Sequence, residues 1–183
     1  MPDETVHDGK YARVERERRF LLAAAPPASA AVAIRRITDR YVTGTRLRLR
    51  RTEEVPSGTC EFKLTQKVPA GRPGHVQGLI TNIYLSPVEY EVLLRLPAIA
   101  LTKTRLSVPP FGIDVFDPPL HGLILAEAEF TTDEAASSFA APCPTVAEVT
   151  DDSRFTGGVL VRTTRDELLG WLADYGVEPP VSS

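Results

Sequence analysis

Charged and apolar residues alternate along several short segments of the chain, which is the pattern of β-strands with two different faces. Residues 46–50 show it most clearly, because three arginines alternate there with two leucines. Similar patterns occur at residues 61–67, 103–105 and 127–129, whereas residues 14–22 carry charge on both faces over most of their length. The predicted fold class is α+β and mainly β: a closed antiparallel β-barrel, or tunnel, with a charged interior and a few peripheral helices.

Three helices are predicted between or after these strands, each from a capping pattern at its first turn. Ser86 precedes Pro87 and Glu89, which together form a strong helix start. Residues 131–134 and 164–167 repeat the arrangement of threonine followed three positions later by glutamate. Glycines and prolines crowd residues 68–78, which predicts a mobile loop beside the basic strands.

Length and composition indicate one globular domain. The chain has 183 residues, of which 43% are hydrophobic and 25% charged, and it is long enough to bury a sizeable core. We expect a core of about residues 11–175 with flexible tails at 1–10 and 176–183.

Charge and hydropathy narrow the function classes. The net charge of -3 argues against general nucleic-acid binding, so a nucleic-acid partner is not expected. No apolar run is long enough to span a bilayer, and the polar N-terminal residues lack the apolar core of a secretory signal. Cys60 and Cys143 form neither a disulfide framework nor a metal motif. We therefore expect a cytoplasmic monomer or homodimer without membrane contact.

The segment around Glu15, Glu17 and Arg19 suggests a first chemistry. In a strand these three side chains share one face. Two carboxylates and a guanidinium on one face suit a divalent cation beside a phosphate. A solvated edge strand is the alternative interpretation of this segment taken alone.

The order of the charged motifs resembles the CYTH superfamily, the triphosphate tunnel metalloenzymes. Glu15-x-Glu17-x-Arg19 is similar to the ExExK signature of that family, with arginine in the last place. Residues 46–50 resemble the family's basic strand, and Thr65-Gln66-Lys67 its TxK element. Further similar segments follow in family order, at residues 103–105, 114–116, 127–130 and 148–155, so the resemblance covers roughly residues 11–160.

The resemblance implies a tunnel of antiparallel strands that binds triphosphate groups through Mg²⁺ or Mn²⁺. It predicts a divalent-metal-dependent hydrolase of inorganic triphosphate, thiamine triphosphate or a nucleoside triphosphate. One departure counts against turnover: family hydrolases often carry an acidic pair where this chain has Ile80 and Asn82. A non-catalytic triphosphate- or polyphosphate-binding module is therefore the alternative function, and adenylate cyclase is a lesser one.

The basic residues on the strand faces are candidates for binding the substrate. A triphosphate carries about four negative charges at neutral pH, so it needs several cations, and arginine supplies forked donors. The predicted phosphate-binding residues are Arg19, Arg46, Arg48, Arg50, Lys63, Lys67, Lys103, Arg105 and Arg154.

Acidic residues from strands far apart in sequence are candidates for metal binding and catalysis. Carboxylate oxygens suit Mg²⁺, and the predicted ligands are Glu15, Glu17, Asp114, Glu127 and Glu129. Hydrolysis also needs a carboxylate that orients water, and we assign this catalytic role to Glu17 or Glu129. The alternative is that these acids only neutralise the basic strands.

Overall fold

The computed structural model describes residues 9–178, and a closed antiparallel β-barrel is its main feature. Most of the predicted flexible tails, residues 1–10 and 176–183, lies outside the described residues. The strands are β1 (Arg13–Leu21), β2 (Ala33–Val42), β3 (Leu47–Val55), β4 (Cys60–Pro69), β5 (Val76–Leu85), β6 (Ala98–Val108), β7 (Phe111–Phe116), β8 (Ile124–Glu129) and β9 (Ala147–Glu148).

The barrel closes through the first strand. The hydrogen-bonded order is β5-β4-β3-β2-β6-β7-β8-β1, and β1 also pairs with β5, so eight strands form a ring. The ninth, β9, pairs with the C-terminal part of β1. All pairings are antiparallel, which confirms the predicted fold class.

Alternation along the strands separates a charged interior from an apolar outer face. On β1, Glu17 and Arg19 line the interior, whereas Phe20 belongs to an outer cluster with Phe111 and Ala126. Residues that lie opposite each other on neighbouring strands point to the same face of the sheet. The pairing register therefore keeps charged residues inside and apolar residues outside on successive strands. Charged side chains therefore face the interior and apolar side chains face outward, as the sequence pattern predicted.

Four helices complete the fold: α1 (Pro87–Leu93), α2 (Asp133–Ser138), α3 (Gly157–Leu160) and α4 (Arg165–Ala173). Capping boxes begin α1 at Ser86 and α4 at Thr164, as predicted. Helix α2 begins one residue later than expected, because Thr132 and not Thr131 accepts the capping hydrogen bond, from the backbone of Ala135.

The C-terminal helices cover one end of the barrel. Inward-facing residues at that end are apolar, among them Leu21 and Leu125, and they form one buried cluster with Phe155, Leu168 and Leu172. By contrast, α1 contacts the outer face of β4 and β5, where Tyr90 lies 4.4 Å from Phe62 between ring centroids. The charged interior is therefore bounded by an apolar layer at one end.

The predicted mobile loop at residues 68–78 is shorter in the structure, because β4 and β5 extend into it. The connection is confined to residues 70–75. It lies against β1, where the backbone N–H of Glu17 donates to the carbonyl of His75 at 2.9 Å. Gly78 allows the strands to approach: a Cβ there would stand 2.0 Å from the carbonyl oxygen of Val68, and its φ is +139°. The 70–75 loop thus continues the barrel wall.

Candidate functional site

A cavity of about 960 Å³ occupies the interior of the barrel. Its basic lining residues are Arg13, Arg16, Arg19, Arg46, Arg48, Arg50, Lys63, Lys67, Lys103, Arg105 and Arg162. Its acidic lining residues are Glu15, Glu17, Asp39, Glu127 and Glu129. Cations therefore outnumber carboxylates, and the cavity suits an anionic ligand.

Strands β1 and β8 bring the predicted acidic residues together. Glu17 lies directly opposite Glu129, and Arg19 lies opposite Glu127, in neighbouring cross-strand pairs on the inner face. Burial holds the pKa of Glu17 well above its usual range, and the nearby carboxylate of Glu127 raises that pKa further. A cation at this position would relieve both effects.

Hydrogen-bonded ion pairs already occupy three of the predicted metal ligands. Both oxygens of Asp114 accept hydrogen bonds, from Lys103 and from the fork of Arg105, and Asp114 is fully buried. Arg105 also binds Glu127. Glu15 accepts from the ammonium of Lys67 at 2.8 and 2.9 Å. Asp114 therefore holds two basic side chains in place and has no free oxygen directed at the cavity.

The carboxylates do not form one multidentate metal cage. Within residues 9–178, no three His, Cys, Asp or Glu side chains converge on a point that could hold a metal ion. Mg²⁺, however, keeps several waters and is commonly bound through one or two carboxylates together with substrate phosphates. The adjacent Glu17 and Glu129 fit that smaller donor set, and the raised pKa of Glu17 fits a place for positive charge.

Several basic residues on β3 and β4, or directly before β3, face the cavity without a hydrogen-bonded carboxylate partner within residues 9–178. Within the described chain Arg46 and Lys63 form no ion pair, and the nearest carboxylate to Arg48 is that of Asp39, 3.5 Å from its Nε. Burial lowers the pKa of Lys63, and Arg50 and Arg48 lower it further. Uncompensated cations that repel one another favour binding of an anion.

One further sequence-derived site assignment differs in the structure, and the position of another is as expected. The guanidinium of Arg154 is not part of the cavity lining, because Asp152 and Asp174 bind it at 2.8 and 2.6 Å. Ile80 and Asn82, the positions at which family hydrolases often carry an acidic pair, do line the cavity. Asn82 accepts a hydrogen bond from Thr65 at 2.8 Å, so this part of the wall is neutral.

Asp39, Tyr41 and Gln77 are among the lining residues that sequence reasoning missed. Asp39 is buried and binds Arg50 with both oxygens, and Arg50 and Arg48 together hold its pKa below the usual range although burial opposes this. Asp39 and Tyr41 lie two positions apart on β2, so alternation along the strand was a usable signal for both. Gln77 lay in the predicted loop and gave no such signal.

Within residues 9–178, no helix is long and apolar enough to cross a membrane. No protein-family model and no curated protein matches the sequence. Two crystal structures of NE1496 are similar to it. One, described as a hypothetical protein, has a TM-score of 0.53 at 28% identity over 82% of this chain and 99% of its own.

The other, described as the inorganic triphosphatase NE1496, has a TM-score of 0.52 at 26% identity over 81% of this chain and 95% of its own. The shared architecture, the order of the charged strands and the ring of basic residues around paired glutamates agree with the sequence resemblance. This chain has the triphosphate-tunnel fold of the CYTH superfamily.

Proposed function

We propose that the protein is a divalent-metal-dependent hydrolase of a triphosphate compound. One observation carries the proposal: basic residues without close carboxylate partners share a single cavity with the paired carboxylates of Glu17 and Glu129. The basic side chains can bind the phosphate groups, and the two carboxylates can bind a metal ion that accompanies the phosphates. The similarity to the inorganic triphosphatase NE1496 supports the same reaction class.

The basic strands bind and orient the phosphate chain. Among the predicted phosphate-binding residues, Arg46 and Lys63 form no ion pair within residues 9–178, and Arg48 forms only a long one, to Asp39 at 3.5 Å. These three are therefore assigned the closest contacts. Arg50 and Arg105 are fixed by Asp39 and Asp114, and each presents a rigid positive edge to the cavity. Lys67, Lys103 and Arg19 complete the basic lining.

Glu17 and Glu129 would hold a Mg²⁺ or Mn²⁺ ion, with Glu15 and Glu127 nearby. When bound, such an ion draws charge from the phosphate oxygens and neutralises charge that develops during phosphoryl transfer. The chain itself supplies a carboxylate to orient the attacking water, and Glu17 or Glu129 is assigned this role. The apolar layer at one end of the barrel limits water at that side of the cavity.

A triphosphate- or polyphosphate-binding module is the second candidate. Ile80 and Asn82 make one wall neutral, and three of the five acidic candidates are occupied by hydrogen-bonded ion pairs. Such a cavity can hold an anion without organising a metal ion for turnover. Adenylate cyclase is a lesser alternative, which formation of cyclic AMP from ATP would reveal.

Phosphate release from inorganic triphosphate, thiamine triphosphate and nucleoside triphosphates, with Mg²⁺ or Mn²⁺, tests the proposal. We expect turnover of at least one substrate by the wild type, its loss in Glu17→Gln, and a higher metal requirement in Glu129→Gln. Glu91→Gln is the matched control, because Glu91 is exposed on α1 away from the cavity. Tight binding without turnover would favour the binding module, and absence of binding would exclude both.

A further inference from the structure

Arg19 is held in the cavity wall by neutral acceptors. Its Nη2 donates to Oε1 of Gln77 at 3.1 Å and to the carbonyl of Thr150 at 2.9 Å, and its Nη1 donates to the carbonyl of Phe155 at 3.4 Å. Within residues 9–178, the carboxylate of Glu17 is the one that forms an ion pair with Arg19, 3.6 Å from Nε, and Nε has no hydrogen-bond partner. Neutral acceptors fix the orientation of the guanidinium without cancelling its charge.

The side-chain amide of Gln77 has only one consistent orientation. A guanidinium can only donate hydrogen bonds, so the amide oxygen must face Arg19. The amide nitrogen then donates to the carbonyl of Gly74 at 2.9 Å, which can only accept. Gly74 is itself held from the other side, because its N–H donates to Asp151 at 2.6 Å. One side chain thus connects the guanidinium of Arg19 to the 70–75 loop.

We propose that Gln77 is a positioning residue, which directs the charged edge of Arg19 into the cavity and couples that orientation to the order of the 70–75 loop. The inference rests on the proposed function, because it assigns Arg19 to phosphate binding. Within the described part of the chain, Gln77 is the only side chain that accepts a hydrogen bond from the guanidinium of Arg19, since Thr150 and Phe155 accept from it through backbone carbonyls. Substitution of Gln77 therefore removes one hydrogen bond of the Arg19 guanidinium and leaves the two backbone acceptors in place.

Two substitutions separate position from charge. Gln77→Met keeps the length of the side chain but removes both hydrogen bonds. Gln77→Glu keeps an acceptor for Arg19, but its negative charge neutralises the guanidinium and faces the carbonyl of Gly74. Gln66→Met is the matched control, because Gln66 is an exposed glutamine on β4 that does not line the cavity.

Calorimetry with a non-hydrolysable imido analogue of triphosphate and Mg²⁺ measures the effect on binding. We expect Gln77→Met to weaken binding about fivefold, as for one lost hydrogen bond, and Gln77→Glu to weaken it further. In an Arg19→Met background, Gln77→Met should have no additional effect, because the residue acts through Arg19. Gln66→Met should bind like the wild type.

Amide hydrogen exchange supplies a second measurement that needs no Arg19 variant. Gln77→Met should speed exchange at Gly74 and Glu17, and the analogue should slow exchange there in the wild type but not in the variant. Independent effects of Gln77→Met and Arg19→Met, or unchanged exchange in the loop, would overturn the inference alone. Failure of the wild type to bind the analogue would overturn the proposed function as well.

Discussion

Asp39 and Arg50 form a bidentate salt bridge within the barrel. Nε and Nη2 of Arg50 donate to the two oxygens of Asp39 at 2.6 and 2.7 Å, and Asp39 is only 1% exposed. Arg48 approaches the same carboxylate at 3.5 Å. One buried anion therefore supports two of the arginines that are assigned to phosphate binding.

Asp39→Asn should destabilise the protein by about 3 kcal/mol at pH 7, because it leaves buried arginines without their counter-charge. Burial opposes ionisation of Asp39, but Arg50 and Arg48 outweigh it and lower the pKa. A lowered pKa in the folded state contributes stability above the unfolded value, near 4, and that stability is lost as pH falls toward the folded value. Thermal unfolding between pH 2 and 7 should show the difference between wild type and variant shrinking in acid.

Asp166→Asn is the control for this comparison, since Asp166 is exposed in the first turn of α4. It should change the melting temperature little at any pH. If Asp39→Asn melts at the wild-type temperature at pH 7, the ion pair does not support the wall.

Arg48→Ala should weaken triphosphate binding at least tenfold, the effect expected when a charge-assisted contact is removed. Arg51→Ala is the matched control on the same strand, because Arg51 points outward and pairs with Glu53 at 2.7 Å. Calorimetric titration of both variants measures the difference. Equal losses of affinity would mean that the cavity is not the binding site.

Arg18→Ala should lower stability and leave triphosphate affinity nearly unchanged. Arg18 lies outside the cavity, where it binds Glu148 at 2.6 and 2.8 Å and the carbonyls of Ala136 and Phe139. It therefore joins β1 to β9 and to the end of α2. We expect a loss of about 2–3 kcal/mol by chemical denaturation, since a charged residue with several hydrogen bonds is removed. A large loss of affinity at full stability would contradict this assignment.

Triphosphate binding should be accompanied by proton uptake at alkaline pH. Burial, Arg50 and Arg48 lower the pKa of Lys63 from its ordinary value of 10.5, and a bound anion would raise it again. Between the lowered value and the ordinary one, Lys63 is partly neutral in the free protein and charged in the complex. Calorimetry in buffers with different ionisation enthalpies measures the uptake, which Lys63→Met should abolish.

The strand pattern and the charged inner face of the barrel could be predicted from alternation alone. The inward direction of Arg48, Arg50 and Glu17 follows from period two, and local capping chemistry fixed the starts of α1 and α4. The predicted start of α2 was wrong by one residue, because Thr131 and Thr132 are adjacent and either could cap the helix. Ile80 and Asn82, which the family resemblance gave as the positions of an acidic pair, do line the cavity.

The pairing of charges could not be predicted, because it depends on which strands are neighbours in the barrel. Asp114 looked like a free carboxylate in the sequence, yet Lys103 and Arg105 occupy it from the adjacent strand. Arg154 followed the family order, but Asp152 and Asp174 hold it away from the cavity. Gln77 acts through tertiary contacts that a loop composition cannot reveal.

The closure of the barrel through β1 has a consequence for how the protein is made. Strand β1 is synthesised first, but its partners β5, β8 and β9 extend to Glu148, so most of the chain must exist before β1 can take its final place. Contacts between residues so distant in sequence form slowly, because a long loop must close first. Glu15, Glu17 and Arg19 therefore reach their final surroundings late in folding, and a nascent chain that ends before β9 carries these residues without the complete cavity wall.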